Sequence, residues 1–144
     1  MQNPPPVQTS SQPPAQVAKS STGLDENIAA LLSYIAGWIT GLVFFLIEKD
    51  SRLVRFHAMQ SLILSGGGVV LLIVLWVFIG ISSIIIGQVS GILSFLVSMV
   101  LGLVATVVGI AILVGAIIGL VKAYQGQYFK LPVVGNLAEK YSAK

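Results

Sequence analysis

The chain has 144 residues, enough for one small domain, but only 9% of them are charged while 56% are hydrophobic, against about 25% charged in ordinary soluble domains. So little charge cannot cover a water-exposed surface, and the composition excludes a soluble globular protein. Cysteine is absent, which excludes a disulfide scaffold, a thiol nucleophile and cysteine-bound zinc or iron–sulfur centres.

Residues 1–22 hold five of the six prolines, mixed with Gln, Ser and Thr. Such a segment cannot bury enough apolar area to offset its ordering entropy, and it is predicted to be a disordered tail. It has no arginine and no apolar run behind a charged start, so neither a transit peptide nor a cleaved signal is expected.

Beyond it, the charges fall up to Glu26, between Glu48 and Arg55, and from Lys122 onward, leaving uncharged stretches at 27–47 and 56–121. The first predicts a transmembrane helix over residues 28–47, whose length of about 30 Å matches a hydrocarbon core. The second is 66 residues long. As one helix it would extend about 99 Å, so it must fold back at an interface, where free backbone groups meet water. Gly87-Gln88-Val89-Ser90-Gly91 is the best turn, giving spans over 61–86 and 92–121. A fourth span is disfavoured because residues 91–121 contain no Asn, Asp or Pro to turn the chain. The predicted fold class is an all-α integral membrane bundle of three helices. Its domain covers 23–134, followed by a short interfacial or disordered tail over 135–144.

Three spans place Lys49, Arg52, Arg55, Lys122, Lys130, Lys140 and Lys144 on one side and Lys19 on the other. The positive-inside rule then predicts a multi-pass protein of a prokaryotic plasma (inner) membrane, with the N-terminus outside and the C-terminus cytoplasmic.

Lys49, Arg52 and Arg55 recur every three residues and form a basic edge suited to anionic lipid headgroups. His57 and Gln60 follow one helical turn apart, where the second span enters the membrane. Arg52, Arg55, His57 and Gln60 are therefore the candidates for an entrance or partner contact. A lone histidine without a second ligand at proper spacing argues against a metal site, and every acid lies outside the spans, which argues against nucleophilic catalysis. No enzymatic activity, cofactor or nucleic acid is expected.

Small residues four apart, Gly37 with Gly41 and Ala111 with Gly115 and Gly119, are the candidate helix-packing positions. Ser94, Ser98 and Gly102 make a second row on the third span, which suggests a seam between copies of the chain. Lys122, Tyr124, Tyr128 and Lys130 are the expected interfacial anchors.

Three blocks are familiar together: Gly23-Leu24-Asp25-Glu26-Asn27-Ile28-Ala29-Ala30-Leu31-Leu32-Ser33-Tyr34, Arg55-Phe56-His57-Ala58-Met59-Gln60-Ser61-Leu62 and Tyr124-Gln125-Gly126-Gln127-Tyr128-Phe129-Lys130-Leu131-Pro132. They resemble the small prokaryotic membrane proteins grouped with the twenty-kilodalton subunit of the chloroplast Tic import translocon. That resemblance implies a helical component of a protein-conducting or assembly complex. The expected function is a non-catalytic, oligomerising subunit or scaffold of a membrane complex, with protein translocation as its process. A small pore or carrier formed by a homo-oligomer is the alternative.

Overall fold

The structure is a computed structural model and describes residues 18–143. Its α-helices are α1 (Glu26–Ile35), α2 (Trp38–Ile47), α3 (Arg52–Ser61), α4 (Gly67–Gly87), α5 (Gly91–Tyr124) and α6 (Val134–Ser142). A wide π turn, Leu62–Gly66, joins α3 to α4 without interrupting the helix. Among the described residues there is no strand beyond an isolated bridge between Lys19 and Asp25.

The all-helical expectation holds, but the stretch expected to cross as one helix over 28–47 does not. It is broken at Ala36-Gly37, where Gly37 adopts φ 59° and ψ −126°, a conformation open essentially to glycine alone. The hydroxyl of Thr40 accepts from the Ala36 N–H at 3.2 Å and lies 3.1 Å from the Ser33 carbonyl. Ser61 donates to the Gly37 carbonyl at 3.1 Å. These side chains take up the backbone groups that the break releases. The chain then reverses, and α2 returns antiparallel to α1 until the Ser21 N–H meets the Glu48 carboxylate at 3.0 Å. Each helix has 10 residues, about 15 Å or half a hydrocarbon core. Residues 18–25 therefore lie at the same end of the molecule as Glu48–Ser51, not at the opposite end as the sequence suggested.

Among the described residues two helices are long and apolar enough to cross a membrane: the continuous one from Arg52 to Gly87, 36 residues, and α5, 34 residues, roughly 54 and 51 Å. Their turn falls at residues 88–90, where expected. Ser90 caps α5 by accepting from the Leu93 N–H at 3.3 Å, and Ser94 donates to the Ser83 carbonyl at 2.9 Å across the pair. Away from the other end these helices expose Val70, Trp76, Phe78, Phe95, Leu103 and their apolar neighbours. A hydrophobic surface of that extent fits lipid, not water.

The core sits at the end where α3 begins. Ala29, Ala30 and Tyr34 of α1 pack with Leu53, Val54 and Ala123. Phe56 and Met59 pack with Ala138 of α6. The segment 135–144, read as a tail, thus supplies most of α6, and its Gly135 lies so close to Lys130 that a Cβ would come within 2.6 Å of the Lys130 Cα. The disordered tail expected over 1–22 lies outside the described residues as far as residue 17. Residues 18–22 are bonded into the head.

Candidate functional site

His57 and Gln60 sit one turn apart on α3, and Tyr34 reaches them from α1. Their partners come from far along the chain, through the way α5 ends. There the Gly126 N–H donates to the Ala123 carbonyl and the Gln127 N–H to the Lys122 carbonyl, both at 3.0 Å, with Gly126 at φ 67°. This is the glycine-terminated Schellman arrangement. It turns the chain sharply, so that residues 127–131 run back along α3 with their backbone facing His57 and Gln60.

Donor and acceptor roles follow from the partners. His57 Nε2 is 2.9 Å from the Gln127 carbonyl, which can only accept, so Nε2 carries the proton. Nδ1 of the neutral ring then accepts, and the Tyr34 hydroxyl 3.3 Å away donates to it. Gln60 Nε2 donates to the Tyr34 oxygen at 3.1 Å and to the Phe129 carbonyl at 3.2 Å. Its Oε1 accepts from the Leu131 N–H at 3.5 Å. Both His57 and Gln60 are fully buried, and every buried side-chain nitrogen and oxygen among the described residues has a partner. The sequence marks these two residues as candidates for an entrance or partner contact. In the fold they latch three segments together, α1, α3 and 127–131.

A second polar node closes the α1–α2 pair. The buried Glu48 carboxylate accepts from the N–H groups of Ser21, Asp50 and Ser51 and from the Ser21 hydroxyl, at 2.8 to 3.1 Å. Burial by itself raises its pKa, but these donors outweigh it and hold the carboxyl below its ordinary value. Beside it, Ser51 caps α3 by accepting from the Val54 N–H at 3.2 Å, and its hydroxyl donates to Glu26.

Arg52 and Arg55 face a different environment. With Lys49, Lys130, Phe56 and Tyr128 they line a cleft of about 710 Å³ between α3 and α6. Arg55 is held in place: its guanidinium donates to the Glu48 carbonyl at 3.0 Å and to the Ser142 carbonyl at 3.3 Å, and it lies 5.1 Å over the Phe45 ring. Lys130 pairs with Glu139 at 2.7 Å on the exposed rim. Burial and the Glu26 carboxylate push the Tyr128 phenol up, with Arg52 working against them. Four cations thus stand around one carboxylate among the described lining residues.

The packing candidates divide. A Cβ on Gly41 would come within 2.9 Å of the Ala58 carbonyl and Leu62 nitrogen; one on Gly119 would meet the Tyr34 ring at 2.7 Å; and Gly37 approaches Ser65 and Gly115 approaches Leu64. All four are used within the chain, whereas Ala111 is exposed. Of the anchors, Lys122 donates to the Gln127 side chain at 3.0 Å, while Tyr124 and Tyr128 are exposed. Among the described residues no three His, Cys, Asp or Glu side chains form a group that could hold a metal ion.

Residues 23–138 match the family model of the magnetosome magnetite crystal formation protein family. A UPF0132 membrane protein of Methanocaldococcus jannaschii is 41% identical over 126 residues, 88% of this chain and 96% of the relative. A second from that organism is 38% identical over 120 residues, 83% and 71% of the two chains. One from Archaeoglobus fulgidus is 38% identical over 117 residues, 81% and 95%. No solved structure matches. These findings overturn the resemblance to the Tic translocon subunit, and the translocation role that rested on it goes with it. In the fold the three familiar blocks are those that pack α1 on α3 and carry 127–131 back over both.

Proposed function

The chain belongs to the magnetosome magnetite crystal formation protein family, whose relatives here are membrane proteins, and from that premise we propose that it is a non-catalytic membrane scaffold. In this reading α4 and α5 form a two-helix anchor, and α1–α2 is a re-entrant pair that enters and leaves on one side. The charged end, with residues 18–25 and α6, faces the cytoplasm of a prokaryotic cell. The family's description speaks of magnetite crystal formation; the proposal for this chain is narrower, a self-associating platform that holds a rigid head at the inner surface of a membrane.

The observation that carries it is the bond between Ser21 and Glu48, which closes the α1–α2 pair at the end where α3 begins. Lys19, Lys49, Arg52, Arg55, Lys122, Lys130 and Lys140 then all belong to one end, and residues 87–91 at the other carry no charge. This bias is stronger than the one the three-span reading gave, and it favours a cytoplasmic head. Self-association is supported by Gly102 and Gly109, two turns apart on α5, with nothing within 4 Å of either added Cβ and with exposed Thr106 between them. Open small-residue faces of this kind let helices of neighbouring copies approach closely in lipid.

The test uses single cysteines in a chain that has none. Residues substituted at Lys19, Lys49 and Ala143 are expected to label from the cytoplasmic side and one at Gln88 from the other. Labelling of Lys19 and Lys49 from opposite sides overturns the topology. Gly102→Cys is expected to crosslink between copies in native membranes, and a monomer in mild detergent with no crosslink overturns the platform.

A further inference from the structure

The cleft between α3 and α6 has a chemistry of its own, independent of the platform reading. We infer that it is a binding site for a phosphate-bearing anion at the membrane surface, supplied by the headgroup of an anionic phospholipid.

Three features point there. First, the cations are arranged by the fold. Arg52 and Arg55 are one turn apart on α3, Lys49 precedes them, and Lys130 faces them from the segment that leads into α6. The Arg55 guanidinium is fixed by the carbonyls of Glu48 and Ser142. A planar guanidinium so fixed suits a phosphate better than a mobile ammonium does. Lys49 and Arg52, by contrast, are exposed and make no ion pair within the described residues.

Second, Glu139, the one carboxylate among the described lining residues, is replaceable. The Lys130–Glu139 pair is 46% and 57% exposed at its two side chains, and such surface pairs hold weakly. An incoming phosphate can take the place of Glu139 on Lys130 while the rest of the wall stays still.

Third, the cleft's size and depth fit an esterified phosphate. At about 710 Å³ it lies in the range of sites that take an organic ligand. Its apolar wall is Phe56 against Tyr128, ring centroids 5.5 Å apart. Its α3 wall is the first turn and a half of that helix, Arg52 to Phe56, on the charged side of the apolar spans, the side on which anionic headgroups meet cations.

The experiment uses the full chain in nonionic detergent, offered phosphatidylglycerol and phosphatidylcholine in equal amounts, with retained lipid read by native mass spectrometry. Preferential retention of phosphatidylglycerol is expected. The double variant Lys49→Gln/Arg52→Gln, which touches exposed side chains only, is expected to reduce that retention about tenfold. Glu139→Gln, which removes the competing carboxylate, is expected to raise it two- to threefold. Lys122→Gln/Lys140→Gln removes equal charge outside the cleft and is expected to change it less than twofold. Equal loss in the two double variants, or no preference in the unaltered chain, overturns the site. Radiolabelled inorganic phosphate offered without lipid separates the sources: failure to bind supports the headgroup, and binding that Lys49→Gln/Arg52→Gln abolishes overturns the lipid assignment in favour of the free anion.

Discussion

The backbone N–H of Ser21 donates to both carboxylate oxygens of Glu48, at 3.0 and 3.1 Å, and so ties the segment before α1 to the end of α2. Glu48 is fully buried, and its charge is maintained there by donors that only the folded chain assembles. Because those donors hold its pKa below the ordinary 4.5, the carboxylate contributes stability that is fully present above about 4.5 and disappears as pH falls through the lower folded value. Thermal unfolding of detergent-solubilised protein should therefore show a loss of stability on acidification below the ordinary carboxylate range. Glu48→Gln should lower stability at neutral pH by about 1–3 kcal/mol and flatten that acid limb. A variant that melts like the unaltered chain at pH 7 would contradict this role.

The Tyr34, His57 and Gln60 bonds make a second prediction. Tyr34→Phe leaves His57 Nδ1 without its donor and removes one acceptor from Gln60, both in a buried site, for a cost of about 1–3 kcal/mol. Gln60→Leu should cost a similar amount, because it strands the Phe129 carbonyl and Leu131 N–H. The two changes share the 3.1 Å bond, so a double-mutant cycle should give coupling above about 0.5 kcal/mol. Simple additivity would show Tyr34 and Gln60 to be independent.

Glycines that look alike in sequence should behave differently. Gly41→Ala brings a methyl group against backbone atoms of α3 at 2.9 Å, where nothing flexible can yield, and should destabilise by about 1–3 kcal/mol. Gly119→Ala meets the Tyr34 ring at 2.7 Å and should also displace the phenol from His57. Gly102→Ala, with open space around it within the chain, should leave the melting temperature unchanged or slightly raised in a detergent strong enough to separate the copies. Far-UV circular dichroism on heating distinguishes the three.

Val133 sits at φ 65° and ψ −57°, and the Val134 N–H closes a tight turn onto the Pro132 carbonyl at 2.7 Å. A β-branched side chain is strained there. Val133→Gly should relieve about 1–3 kcal/mol of strain, offset by about 1 kcal/mol of added freedom in the unfolded chain, leaving the protein equally or more stable. A clear loss of stability would count against that backbone.

The turn at residues 87–91 and the extent of α5 were legible because glycine and serine interrupt an otherwise uncharged apolar run. The reversal at Gly37 was not, because residues 28–47 have the length and hydropathy of a complete crossing. Only Ser33, Gly37 and Thr40 mark the break, and each has an ordinary place in a straight helix. His57 and Gln60 stand out in the sequence as polar residues near the start of an apolar helix. What they bond to lies about 70 positions along the chain, a distance set by how α5 ends and not by any local spacing. The basic edge is readable from its period of three, whereas of the opposite wall only Lys130 stands out, as an interfacial anchor, and Glu139 and Ser142 fall in the stretch 135–144 that reads as a tail.

Residues 87–91 hold no ionisable side chain, and their largest polar groups are those of Gln88 and Ser90. In the proposed orientation this is the one connection among the described residues that must reach the far side. Pushing it across moves no charge through the hydrocarbon, so the costly step in installing a polytopic protein is missing. Such a hairpin can enter a bilayer as a unit from the side that carries the charged end, where α3 offers the surface against which α1 and α2 pack.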